Sequence, residues 1–450
     1  MDESLFHEFP EVSPKQWKLK IQYDLKGAEY TTLLHKTPEG IDIKPFYTKE
    51  DYPENTPLMP SRWHITQPVY VAKESAASKK ITDSLQRGAE SILVTIPSES
   101  ILLDEFEASL SEANAPIIVN PQFLSLDYLQ KLDQFASRHS ASVIVLNDPI
   151  SKLARSGNWY QNKNSDLEIV RDILSKQLHL NSGISIDASL YHNAGATAVQ
   201  EIAYAIAHAH EYLALSSGKH TFTFQVAIGP NYFMEIAKLR ALRIVWQALA
   251  NEYTNSRECI ILAQPGIRNK TLYDYNVNLL RSTTECMSAI LGGANYVSNL
   301  PYDSIYHKYN EFSDRIARNQ LLILKHESYF DKVENPADGA YYIESLTDQL
   351  ASKALELFKS IENGGGFLTQ LKEHTIQRKT KESARASQED FNTGRQILIG
   401  TNQYPNPQDR MKDSLELYPF VKTDKRKTLI EPIIERRLSE IMEQERLATE

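Results

Sequence analysis

Between about residue 90 and residue 335, short runs rich in Val, Ile and Phe alternate with stretches that read as helix. The runs are SILVTI (91–96), PIIVN (116–120), SVIVL (142–146), GISID (183–187), TFTFQV (221–226), ECIILA (258–263), ANYVSN (294–299) and a weaker one near Lys332 and Val333. Each is apolar along its length, the pattern of strands buried on both faces. Between them, ATAVQEIAYAIAHAHEYLAL (196–215) and YFMEIAKLRALRIVWQALA (232–250) are dense in helix formers. Strand–helix alternation argues for a parallel sheet. Eight runs over this length predict an α/β chain folded as a (β/α)8 TIM barrel rather than an open sheet.

The flanks differ in character. Residues 1–60 are rich in Pro, aromatic and charged residues and read as an extended arm, with a helix expected near Trp17, Ile21 and Leu25. Pro53, Pro57 and Pro60 forbid regular structure at its end. After residue 340 the strands stop. Residues 341–362 form an amphipathic helical pattern that GGG (364–366) ends, since glycine takes positive φ without a Cβ clash. Residues 367–395 read as charged helix, and 430–450 as a terminal amphipathic helix. The expected organisation is an arm (1–60), a barrel with trailing helices (61–400), and a C-terminal linker and helix (401–450).

Composition excludes several functions. The formal charge is −9 with no long basic run, a poor match to nucleic acid. Two cysteines, Cys259 and Cys286, cannot build a disulfide framework or a Cys-based zinc site. The N-terminus lacks the basic and apolar regions of a secretory signal, and no stretch is apolar enough to span a bilayer, so a cytoplasmic location is expected.

In a barrel, function sits at the C-terminal ends of the strands. After the third run come Asn147 and Asp148, with Arg155 beyond as a possible bidentate clamp for a phosphate or carboxylate. Asp187 and His192 follow the fourth run, either as an acid–base pair or as a helix cap and a local hydrogen-bonding group. Gln264 follows the sixth and could bind an amide or carbonyl; Asn299 closes the seventh. No metal-ligand spacing, nucleophile elbow or Walker loop occurs. These residues alone describe a polar but chemically weak barrel mouth.

Several stretches resemble the methylmalonyl-CoA mutase family: TPEGIDIKPFYT (37–48), NAGATAVQEIAYAIAHAHEYL (193–213), FMEIAKLRALRIVW (233–246), YDYNVNLLRSTTECMSAILGGANYV (273–297), FSDRIARNQLLILKHES (312–328) and NPADGAYYIESLT (335–347), then GGGF. They run in family order over about residues 1–400. The resemblance implies adenosylcobalamin-dependent interconversion of methylmalonyl-CoA and succinyl-CoA, in propionate metabolism. In that family the cofactor supplies the radical chemistry and the protein supplies binding and orientation.

The departures from the family pattern shape the expectation. The Asp-x-His-x-x-Gly cobalt-ligand motif is absent and residues 401–450 are too few for a cobalamin-binding domain. The family's Trp-Thr-Ile-Arg-Gln-Tyr run corresponds to Trp63–Pro68, so Thr66 stands for the substrate Arg and Pro68 for the Tyr. Counting back from Gly195 puts Leu190 at the catalytic His position, and Leu262 replaces the His of a His-Ser-Gln run whose Gln survives as Gln264. Asn147 and Asp148 match a Gln-Asn-Asp run, and Arg155 matches its downstream Arg across a one-residue gap. The resemblance is therefore to the small, non-catalytic subunit of the heterodimeric enzymes. It implies no catalytic residue and no metal ligand in this chain, adenosylcobalamin carried by a catalytic large subunit, and a vestigial substrate pocket at Asn147, Asp148, Arg155 and Gln264. Two alternatives remain open: the barrel of a split adenosylcobalamin-dependent acyl-CoA mutase, and a non-enzymatic acyl-CoA binder.

Overall fold

The structure, a computed structural model, describes residues 8–52, 57–106, 115–216, 218–253, 255–422 and 425–450; Pro53 lies outside them. Eight parallel strands form one sheet: β1 (His64–Tyr70), β2 (Ser91–Ile96), β3 (Ile117–Pro121), β4 (Val143–Val145), β5 (Ser185–Asp187), β6 (Phe222–Ile228), β7 (Cys259–Pro265) and β8 (Tyr296–Val297). Their order is β4-β3-β2-β1-β8-β7-β6-β5, so β1 and β8 sit side by side and the ends of the list are β4 and β5. A single parallel bridge, Ile144 to Ser182, closes β4 on the chain entering β5. Two backbone bonds flank it, Asn181 N–H to Val143 and Ser185 N–H to Asn147, at 2.8 and 3.0 Å. This is the expected (β/α)8 barrel.

Two strand expectations change. Val333 is 63% exposed in irregular chain and forms no strand. The missing strand is instead the first, β1, whose sequence HITQPVY hides it. Gln67 faces outward yet is polar, held between Asp314 and Arg318 of the last barrel helix at 2.8 Å each. Pro68 looks like a strand breaker. Its nitrogen belongs to the set that faces β8, as His64 N–H does toward Asn295. The β8 ladder ends at Val297, so Pro68 removes no hydrogen bond.

The helices follow the sequence closely. α1 (Pro14–Asp24) lies in the arm; its Ser13 and Gln16 form a reciprocal capping box. α2 (Glu74–Gln86) follows β1, and α3 (Leu126–His139) follows β3. α4 (Pro149–Ser156) and α5 (Lys163–Ser175) follow β4. α6 (Ser189–Asn193) and α7 (Ala198–Leu213) follow β5, α8 (Tyr232–Glu252) β6, α9 (Val277–Leu291) β7, and α10 (Glu311–His326) β8. Beyond the barrel, α11 (Tyr341–Asn363) packs across α7 and α8. The glycines end it as expected: Gly365 and Gly366 take φ of +96° and +87°, and α12 (Phe367–Lys372) and α13 (Thr375–Asn392) follow. The arm reaches α11, where Tyr47 meets Tyr342 at 5.1 Å between ring centroids.

The C-terminal segment is helical only over α14 (Glu440–Ala448). Residues 428–439 run without helix over the elements that follow β4, β5 and β7. Ile433, Arg436 and Leu438 donate their backbone N–H groups to Ala154, Asn193 and Arg268 at 2.8, 3.1 and 2.8 Å. Pro432 disfavours helix at Glu431, and the barrel offers carbonyls that a helix would forfeit. Gly157, at φ +78°, accepts Leu429 N–H at 2.9 Å, and a Cβ there would lie 2.7 Å from Ile430 O and Thr428 Cβ. Among the described residues no helix is long and apolar enough to cross a membrane.

Gly157→Ala is therefore expected to destabilise the chain by about 1–3 kcal/mol through backbone strain. It should also free the 428–433 segment for limited proteolysis, while a urea titration reports the loss. Wild-type protection of that segment in the variant would contradict the packing described.

Candidate functional site

The barrel has two distinct interiors. Outward-facing strand residues join the helices in one continuous core. Lumen-facing ones form a separate cluster of Ile118, Ile144, Leu146, Leu262 and Tyr296, with Leu93 and Ile260 against it. Tyr296 stacks on His64 at 5.0 Å, closing the N-terminal end with two rings. Thr66 shares a 2.7 Å hydroxyl–hydroxyl bond with Ser91 in the same layer. Toward the C-terminal mouth the filling thins: Pro68, Leu93, Thr95, Asn120, Gln225 and Gln264 are only half-buried.

Three of the four pocket residues expected from sequence meet at the β4–β5 seam. Asn147 Nδ2 donates to Gly183 O at 3.0 Å, across the joint. Asp148 is 8% exposed and accepts four bonds. Its Oδ1 takes Ser151 N–H, Tyr212 O–H and the His208 ring Nε2 at 2.8, 2.7 and 2.9 Å, and its Oδ2 takes Asp187 N–H at 2.7 Å. His208 Nδ1 continues to Tyr191 O–H at 3.1 Å. Burial, reinforced by Asp148, holds both the Tyr191 and Tyr212 phenols far above their usual range, so they stay protonated. Arg155 reaches Asp187 Oδ2 at 2.7 Å and also pairs with Glu435 of the covering segment. Gln264 lies on β7, apart from the other three.

A second cluster lies at the mouth beside β6. Lys238 is fully buried, with Glu201 Oε2 at 2.8 Å, Glu235 Oε2 at 2.6 Å and Ala227 O at 2.7 Å. His192 Nδ1 stands 3.3 Å from the same Glu201 oxygen. The His192 ring is wedged between two glycines: a Cβ at Gly229 or Gly266 would come within 2.8 or 2.9 Å of it. Asp187 and His192 therefore do not pair; each serves a different network. Burial pushes the Glu201 carboxyl up, but Lys238 and His192 outweigh it and hold it below the usual carboxylate range. Burial likewise pulls Lys238 down, and the two carboxylates more than restore it. Sequence reading passed over this cluster. Its only signal was a set of charged residues, Glu235 and Lys238 beside Arg240 and Arg243, in a helix that is mostly apolar.

A family profile described as methylmalonyl-CoA mutase matches residues 98–446. A methylmalonyl-CoA mutase small subunit from Porphyromonas gingivalis is 32% identical over 92% of this chain and 73% of its own length. The chain belongs to the methylmalonyl-CoA mutase family, as a small-subunit member. The small subunit from Propionibacterium freudenreichii is 28% identical, over 81% of this chain and 64% of its own. A methylmalonyl-CoA mutase from Rhizobium meliloti is 27% identical, over 90% and 66%. The chain thus spans about two thirds to three quarters of the length of these relatives.

Against the family pattern, Thr66, Pro68 and Leu262 lie on the lumen wall, whereas Leu190 is fully buried in the outer core on α6. His192 does not substitute for a residue there, because Glu201 and the two glycines hold its ring. These donors do not fit a corrin cofactor: among the described residues no free imidazole faces the mouth, and the chain's own segment 428–439 lies across it.

Replacing Lys238 by Met should cost about 3–5 kcal/mol, because it strands buried carboxylates, and adding Glu201→Gln should recover part of the loss. Glu201 has its folded pKa below the usual 4.5, so its contribution is complete above that value and fades as pH falls through the folded pKa. Lys238, raised above 10.5, contributes fully below that value and loses the contribution on further alkalinisation. Urea midpoints of wild type and Glu201→Gln should therefore converge as the pH falls below the usual carboxylate range and through the folded pKa of Glu201. Parallel curves over the whole range would contradict the assignment.

Proposed function

We propose that this chain is the non-catalytic partner in a two-chain methylmalonyl-CoA mutase, where it supports a catalytic large subunit that carries adenosylcobalamin. The supporting observation is the internal use of the pocket residues. Asn147, Asp148 and Arg155 hold the β4–β5 seam and the segment above it, and Thr66 is bonded to Ser91. A residue whose hydrogen-bonding capacity is spent within its own chain has little left for a substrate acid or thioester. On this reading the family's isomerase chemistry, on methylmalonyl-CoA and succinyl-CoA, belongs to the assembled enzyme. Adenosylcobalamin would supply the radical there, and no residue described here is assigned to it.

The arm is the proposed contact with the large subunit. Helix α1 buries none of its residues in its own chain. Phe9, Val12, Leu19 and Tyr23 are 69, 65, 56 and 79% exposed, an apolar surface of the kind that marks a protein contact. Trp17 stacks on Phe46 at 4.2 Å and fixes the helix against a later part of the arm.

Co-expression with a full-length catalytic chain should give a stoichiometric complex. With adenosylcobalamin and methylmalonyl-CoA, only preparations containing the large chain should turn over. Turnover by this chain alone would overturn the reading. A Leu19→Ser/Tyr23→Ser variant should bind the large chain about tenfold or more weakly, a loss of roughly 1.4 kcal/mol or more. Its own thermal unfolding should be unchanged, because α1 contributes nothing to the core.

A further inference from the structure

Helix α13 and the covering segment enclose a groove of about 760 Å³ outside the barrel lumen. Gln377, Thr380, Lys381, Ala384, Arg385 and Gln388 line one wall, three or four residues apart, so they share one helical face. The floor is apolar, and Ile434 and Ile441 are 47 and 50% exposed on it. Among the described residues, seven Lys and Arg side chains line the groove and no Asp or Glu does, in a chain whose net charge is −9.

Among the described residues most of these cations have no carboxylate within ion-pair distance. Lys381 pairs with Glu431, and Arg436 approaches Glu440 at 3.9 Å. Arg268, half-buried in the groove, donates only to neutral oxygens: Arg436 O, Ala384 O and Ser387 Oγ at 3.1, 3.3 and 2.5 Å. Arg426 donates to Ser156 O at 2.9 Å. Among the described residues Arg385, Lys422 and Lys425 have no ion pair within 4.0 Å, and Glu382, a turn from Arg385, is held by Lys379 at 2.8 Å. Burial pulls the Arg268 guanidinium down to about 10, as expected of a cation without an anion. Clustered like charges repel, and an anion placed among them relieves that repulsion. Guanidinium groups match phosphate oxygens in bidentate geometry. The volume falls within the range of small-molecule sites, and the exposed isoleucines offer a surface for a ring.

We propose that this groove binds a nucleotide-sized organic phosphate, its phosphates on Arg268, Arg385 and Arg426 and its ring on the Ile434–Ile441 floor. This site is separate from the lumen and from the mutase reaction, so it does not depend on the reading above.

The test is calorimetric titration of the full chain with ADP, inorganic pyrophosphate and adenosine at near-physiological salt. ADP should bind saturably at one site, more tightly than pyrophosphate, and adenosine should not bind. Rising salt should weaken ADP binding, since the groove is open to solvent. Arg268→Gln should weaken it about tenfold or more, roughly 1.4 kcal/mol or more. Because Arg268 also bonds its own chain, the exposed pair Arg385→Gln/Arg426→Gln provides an independent check, with circular dichroism unchanged and the same loss. No saturable ADP binding, or undiminished binding in the double variant, overturns the proposal. Pyrophosphate binding as tightly as ADP overturns it as well, since the floor would then hold nothing.

Discussion

The Asp148 carboxylate holds the barrel shut. Along the sheet, neighbouring strands are joined by ladders, but β4 and β5 meet through one bridge and a few backbone bonds. Asp148 spans that joint: it caps α4, accepts Asp187 N–H from β5, and takes Tyr212 and His208 from α7. One buried carboxyl group with four hydrogen-bond partners is well satisfied, whereas each of those groups left without it would lose a buried partner. The seam is therefore strong through side-chain chemistry where its backbone pairing is weak.

The same chemistry extends upward. Arg155 joins Asp187 to Glu435, and Glu435 in turn accepts Asn193 Nδ2 at 3.0 Å. Deeper in the covering segment Arg437 donates to Lys270 O at 3.1 Å, and Leu272 N–H to Glu443 at 2.8 Å. Residues that follow β4, β5 and β7 thus hold the chain's own C-terminal segment. In an enzyme barrel those positions hold a substrate. A barrel mouth bonded to the chain's own segment leaves fewer polar groups for a substrate, in keeping with the supporting role proposed above.

Much of the fold was legible in the sequence. Seven of the eight strands stood out because both faces are largely buried and their runs are rich in Val, Ile and Phe. The first strand did not, since its lumen face carries Thr66 and Pro68 and its helix face carries Gln67. Those residues are acceptable only because Ser91, Asp314 and the early end of β8 accommodate them. The weak run at Lys332 and Val333 had composition but no neighbouring strand to pair with. Helix periodicity at residues 430–450 was real, yet only Glu440–Ala448 is helical, because the preceding residues found better partners in barrel carbonyls.

The sequence by itself determined the alternation of elements, and with it the parallel barrel, because apolar periodicity is a local property of the chain. The ordered series of family stretches was also readable there. Only the tertiary structure decided what the polar residues do. Asp148, Arg155 and His192 have the same side chains whether they face a ligand or each other. Their partners Tyr212, Glu435 and Glu201 are 64, 280 and 9 residues away. Hydrogen bonds and ion pairs act through space over a few ångströms, so their pairing becomes defined only when the barrel closes.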